Sequence, residues 1–222
     1  MNCWGKVAIL ACAAGLAMGQ ERSALEREPQ GWQDIMPGPA LQGWTRLAIS
    51  PDPLDAVSQW KIMPGGILLC EGNRGHDWLR FDKELADFVF HVEFRYVPVE
   101  GNPRYNSGIF VRTLGDYSRW YQNQIGAKQG GYFFGYIDLD GAKRRFDYSG
   151  QMVDQRVKAA GEWNTVEVTA RGPVLTSWVN GAVVNEYKYC QIERGHIGLE
   201  GEGFRIEFRN LKVKALTPAR LQ

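Results

Sequence analysis

The feature that most constrains this chain is the run from Phe88 to Ile125, in which polar and apolar residues alternate over three successive segments. In 88–96 one parity is wholly apolar (Phe88, Phe90, Val92, Phe94, Tyr96), while the other carries Val89, His91, Glu93 and Arg95. Strict alternation is the pattern of a strand with one buried face. Residues 106–112 alternate again, with Asn106, Gly108, Phe110 and Arg112 on one parity. In 117–125 Trp120, Gln122 and Gln124 share a side. The run reads as three consecutive antiparallel strands whose polar faces line one groove.

The rest of the chain fits a β architecture. Its 26 glycines and 12% aromatic residues favour strands joined by tight turns. The pattern predicts ten to twelve short strands, from 43–49 to 204–215, with Asn180-Gly181 as a two-residue hairpin turn. Strands at this spacing suggest a two-sheet sandwich in one domain, residues 43–216. Residues 20–42 read as a polar lead-in with a short helix at 23–28. Residues 126–148 look loop-like but carry Tyr132, Phe133, Phe134 and Tyr136. They form either one wall of a cleft or a hairpin packed on its own aromatics.

The first nineteen residues read as a signal peptide: Lys6, an apolar run from Val7 to Leu16, and Ala17-Met18-Gly19 before a cut at Gln20. The apolar run is shorter than the roughly 20 residues that span a bilayer. Export to the periplasm or the exterior is expected, and a lipoprotein cut at Cys12 ranks second. No later segment is apolar enough to span a membrane. After the cut two cysteines remain, Cys70 and Cys190, either joined after export or standing as buried thiols. A net charge of +1 supplies no field for nucleic acid. Three histidines and no Cys-x-x-Cys pair argue against a structural zinc site.

Six motifs follow one another in order: NSGIFVR at 106–112, Gln122-Asn123-Gln124-Ile125, GEWN at 161–164, VNG at 179–181, GHIGLEGEG at 195–203 and IEFRN at 206–210. On these the chain resembles the 3-keto-disaccharide hydrolase domain family over about residues 44–215. The resemblance implies an all-β, concanavalin-like jelly-roll sandwich of two antiparallel sheets. It also implies export and action on glycosides oxidised at C3. Family members typically carry Glu where Gln122 stands and Gln where Glu200 stands, whereas Gln124 and Glu202 match. One carboxylate is thus lost at one site position and gained at another.

A ketone at C3 acidifies the hydrogen on C2. Removal of that proton gives an enolate that expels the glycosidic oxygen from C1, and water then adds. The route needs one general base, a donor for the leaving oxygen, and stabilisation of the enolate. Glu93 and Glu202 are the expected catalytic carboxylates, with Glu200 a further candidate base and Arg112 stabilising the oxyanion. Arg95, Asn106, Gln122, Gln124 and Glu200 are expected to hold sugar hydroxyls, and Trp120 and Tyr136 to stack on a sugar face. Trp163 reads as core. His76 is a loop candidate for an acid or a ligand. A divalent cation near Glu93, Glu202 or His76 would stabilise an enolate, although no ligand spacing demands one. Two other functions compete. One is a carbohydrate-binding module without turnover. The other is a conventional glycoside hydrolase, with two carboxylates about 5–9.5 Å apart across a groove. Both enzymatic readings place Glu93 and Glu202 in one polar cleft, and both fail as assigned if the two face opposite sheets.

Overall fold

The computed structural model describes residues 20–49, 51, 53–102, 104–126 and 129–217; the signal-peptide reading and Cys12 lie outside them. In chain order the strands are β1 (Gln33–Asp34), β2 (Trp44–Ala48), β3 (Trp60–Met63), β4 (Ile67–Cys70), β5 (His76–Phe81), β6 (Phe88–Tyr96), β7 (Gly108–Thr113) and β8 (Trp120–Gly126). Then follow β9 (Gln129–Leu139), β10 (Ala142–Asp147), β11 (Asn164–Arg171), β12 (Val174–Val179), β13 (Ala182–Tyr187), β14 (His196–Glu202) and β15 (Ile206–Ala215). They form two antiparallel sheets. The front sheet runs β10-β9-β8-β7-β14-β5-β2, and the back sheet runs β13-β12-β11-β6-β15-β4-β3 with β1 paired to β15.

The expectation that β6, β7 and β8 pair in succession holds only for the last two. β6 lies between β11 and β15 in the back sheet, while β7 pairs with β8 and β14 in the front sheet. The segment 97–107 therefore crosses from one sheet to the other. A Gly-Asn-Pro connection marks a break in either case, so the pattern alone does not separate a hairpin from a crossover.

The apolar parity of β6 explains the core. Phe88, Phe90, Val92 and Phe94 are fully buried and share one cluster with Ile109, Val111, Ile125, Phe133, Ile197 and Leu199 of the front sheet. Each such side chain contributes about 1.5–3 kcal/mol when withdrawn from water. The opposite parity of β6 must then face away from the front sheet, since successive side chains alternate.

The lead-in is fastened to the back sheet. Ser23 caps α1 (Ala24–Arg27) in a capping box with Glu26. The backbone N–H groups of Ala24 and Leu25 donate to Glu167 on β11 at 2.5 and 3.0 Å. Residues 129–147, read as loop-like, form the hairpin β9–β10 with Asp140-Gly141 at its turn, both at positive φ. Cys70 and Cys190 are both buried free thiols.

Candidate active site

A groove of about 810 Å³ opens on the outer face of the front sheet. Its polar end is built by β14, β5, β8 and the residues just before β7. On β14, Glu200 and Glu202 point to the same face, with Glu200 opposite Trp78 and Glu202 opposite His76 on β5. On β8, Gln122 and Gln124 do the same. Asn106 precedes β7 and also lines the groove.

These side chains form one connected network. Glu200 is 4% exposed; its Oε1 lies 2.8 Å from His76 Nε2, and its Oε2 accepts from Gln122 Nε2 at 2.7 Å. Gln124 Nε2 donates to Asn106 Oδ1, and Asn106 Nδ2 donates to Glu202 Oε2. A Cβ on Gly108 would fall 1.8 Å from Gln122 Nε2, so the glycine leaves the room through which Gln122 reaches Glu200. The family's Glu position and the position where Glu has appeared are therefore the two ends of one hydrogen bond: the carboxylate and the amide have changed places. Burial, and then the charge of Glu200, push the Glu202 carboxyl above its ordinary value, against the pull of His76 and the Asn106 amide.

Ligand atoms of His76, Glu200 and Glu202 all lie within 4.8 Å of one another, the one such group of three among the described residues. One imidazole and two carboxylates at this spacing are a donor set that a divalent cation could share. His76 is the site residue that alternation along 88–125 missed. It sits at the start of β5, and its neighbouring glycines made it look like part of a loop.

The other end of the groove is aromatic. Trp120 on β8 and Tyr132, Phe134 and Tyr136 on β9 line it, beside Tyr117, which stacks on Trp120 at 5.4 Å. The segment read either as a cleft wall or as a self-packed hairpin is both.

Three expected site residues lie elsewhere. Glu93 faces outward from the back sheet, where Arg209 Nε and Asn210 Nδ2 donate to it at 2.7 and 2.9 Å. The His91 imidazole 3.8 Å away, together with the hydrogen bonds from Asn210 and Arg209, holds its carboxyl down at about 2. Arg95 shares that face and pairs with Glu207 at 2.5 Å. The pairing of Glu93 with Glu202 across one cleft is thereby excluded, and with it both enzymatic readings in the form that required it.

Arg112 is displaced for a different reason. Between β7 and β14 the register slips, so that Val111 and Arg112 both stand opposite Ile197, and Arg112 has φ +45°. This bulge takes its side chain off the groove face and buries it. It donates to Asp87 at 2.7 Å, to Ala86 O at 2.9 Å, and to the carbonyls of Gly172 and Ile192. Arg112 ties loops together and stabilises no oxyanion in the groove. Trp163, expected in the core, instead lies half-buried on the back sheet beneath the guanidinium groups of Arg209 and Arg95, at 3.9 and 4.7 Å.

The two-sheet sandwich has a concanavalin-like fold. The family model described as the 3-keto-alpha-glucoside-1,2-lyase-like domain matches residues 31–214, and the chain belongs to that family. A Parabacteroides distasonis protein described as a candidate glycosyl hydrolase has the same fold, with a TM-score of 0.61 at 16% identity over 90% of this chain and 100% of that one. The carbohydrate-binding module CBM66 from Bacillus subtilis gives 0.57 at 16% identity, over 78% and 96% of the two chains. The Bacillus licheniformis beta-glucanase gives 0.52 at 10% identity, over 79% and 94%. No curated protein sequence matches. Among the described residues, no helix is long and apolar enough to cross a membrane.

Proposed function

We propose that the groove cleaves glycosides oxidised at C3, by removal of the C2 proton, elimination of the glycosidic oxygen and hydration. The observation that carries this reading is the convergence of His76, Glu200 and Glu202 at the polar end of one groove. Glu202, made more basic by burial and by Glu200, is the base for C2–H. His76, held against Glu200 at 2.8 Å, is the donor to the leaving oxygen. Gln122, Gln124 and Asn106 fix both carboxylates and offer planar amides to sugar hydroxyls. A divalent cation held by His76, Glu200 and Glu202 would supply Lewis acidity at the enolate oxygen in place of the proton donor, with His76 then a ligand. Glu200 and Glu202 lie side by side on one strand, not across the groove, which disfavours the two-carboxylate route of ordinary glycosidases.

The test is product release from a 3-keto-glucoside and from its unoxidised parent. Cleavage of the keto sugar alone is expected. Cleavage of the parent would mean a conventional hydrolase. Saturable sugar binding with no turnover of either would mean a binding module. The N-terminal pattern supports export, periplasmic or extracellular. N-terminal sequencing of the exported protein should begin at Gln20, and retention of Met1 would contradict that.

A further inference from the structure

The two ends of the groove differ in chemistry. The polar end gathers the network's carboxylates and amides, which satisfy a ring bearing hydroxyls. The aromatic end is walled by Trp120, Tyr132, Phe134 and Tyr136, four ring systems whose polar atoms are limited to two phenol hydroxyls and one indole N–H. At its lip, Lys143 Nζ lies 4.7 Å over the Tyr136 ring and the Arg145 guanidinium 5.5 Å over Phe134. Strand alternation produces this arrangement. Even-numbered residues of β9 face the groove, and Lys143 and Arg145 of β10 stand opposite Asp138 and Tyr136 on that same face.

Acidic groups also lie along the lip. Asp138 pairs with Arg119, Asp147 lies 3.6 Å from Arg145, and Asp116 is exposed on the lining. Asp138 is thus taken up by a third cation, and the Arg145–Asp147 contact is long and between exposed groups, so it is weak.

We propose that the aromatic end is the leaving-group subsite and takes an aromatic aglycone, with an acidic substituent on the aglycone meeting Lys143 and Arg145. This rests on the groove being the site that cleaves keto-glycosides. A second sugar in this position would carry hydroxyls around its rim, yet the groove's amides and carboxylate network lie at the other end. An aryl ring needs apolar contact, which the wall supplies, and places its polar substituent outward, where the two cations sit.

Binding separates this inference from turnover. The full mature chain is titrated with methyl, phenyl and 4-carboxyphenyl glucosides and with a glucosyl-glucose disaccharide, each as the 3-keto and the unoxidised form, following tryptophan fluorescence. Both aryl glucosides should bind more tightly than the methyl glucoside and the disaccharide, with the carboxylated one tightest. Tyr136→Leu should lower the aryl-to-methyl affinity ratio about fivefold, the scale of one aromatic pair. Lys143→Gln with Arg145→Gln should abolish the preference for the carboxylated ring while the phenyl-to-methyl ratio persists. A disaccharide that binds as tightly as the phenyl glucoside overturns the inference, as does failure of every aryl glucoside to bind. Aryl preference in binding with no keto-glycoside cleaved would uphold an aryl-binding subsite at this end and refute both the proposed reaction and the assignment of that end to a leaving group.

Discussion

Gln122 and Glu200 provide a direct test of whether the groove's network, and not either residue alone, has been retained. Gln122→Glu removes the amide that donates to Glu200 at 2.7 Å and sets a second carboxylate against it at a site where Glu200 is 4% exposed. A hydrogen bond to a charged group is worth about 1.5–3 kcal/mol, and two buried carboxylates at such a distance cannot both ionise cheaply. The single substitution should therefore cost about 3 kcal/mol at pH 8, which for a chain of this size lowers Tm by about 6–12 °C. The loss should depend on pH. One carboxyl of the pair has a folded pKa raised above its unfolded value. The pair is then least costly below the ordinary carboxyl range, where a shared proton restores the donor, and stability falls as pH rises through the raised value. Glu200→Gln leaves His76 without its carboxylate but keeps an amide partner for Gln122, so it should cost less. The double variant restores one amide–carboxylate bond with its ends exchanged. Thermal melts of all four proteins at pH 5 and pH 8 should show the double variant recovering most of the Gln122→Glu loss, a coupling of about 2 kcal/mol. Single effects that simply add would refute the claim that the two positions act as one pair.

Three further outcomes follow from the structure. Burial alone would lower the His91 pKa, but the hydrogen bond to Glu167 at 2.9 Å and the nearby Glu93 carboxylate outweigh it and hold it up. Glu167 is held down by His91 and by the Ala24 and Leu25 N–H groups, against burial. The clip on the lead-in should thus be strongest between the ordinary values of 4.5 and 6.5, weakening above as His91 loses its proton and below as Glu167 gains one; hydrogen-exchange protection factors at 23–27, corrected for the intrinsic pH dependence of amide exchange, that are constant from pH 4 to pH 9 would contradict this. Arg112→Met should destabilise by about 3–5 kcal/mol in denaturant melts, because Asp87 and several carbonyls lose a buried partner; a loss under about 1 kcal/mol would deny it the tying role. Added Mn²⁺ should raise the Tm of the wild type and leave that of His76→Ala unmoved, whereas an equal shift in both would place the cation outside His76, Glu200 and Glu202.

The sequence revealed the buried faces better than the partners. Alternation in 88–96 identified which β6 side chains enter the core, and Asn180-Gly181 marked a true hairpin, with φ of +42° and +104°. What alternation does not encode is which sheet a strand joins. Glu93 and Arg95 sit on a polar parity as regular as that of Gln122 and Gln124, yet the crossover at 97–107 sends them to the opposite face of the molecule. Arg112 keeps groove parity on paper, and one bulge opposite Ile197 undoes it. The exchange between Gln122 and Glu200, which on the sequence reads as a loss at one position and a gain 78 residues away, becomes a single contact only when β8 and β14 flank β7.

The proposed reaction has Glu202 remove the C2 proton of a 3-keto-glycoside bound in the front-sheet groove. The most direct measurement is the cleavage rate of a 3-keto-glucoside carrying deuterium at C2 against its protium form, for the wild type and Glu202→Gln. Slower cleavage of the deuterated sugar by the wild type is expected, with release of that deuterium to solvent and loss of both cleavage and release in the variant. Equal rates with deuterium retained in the product, or a Glu202→Gln protein that cleaves as fast as the wild type, would contradict it.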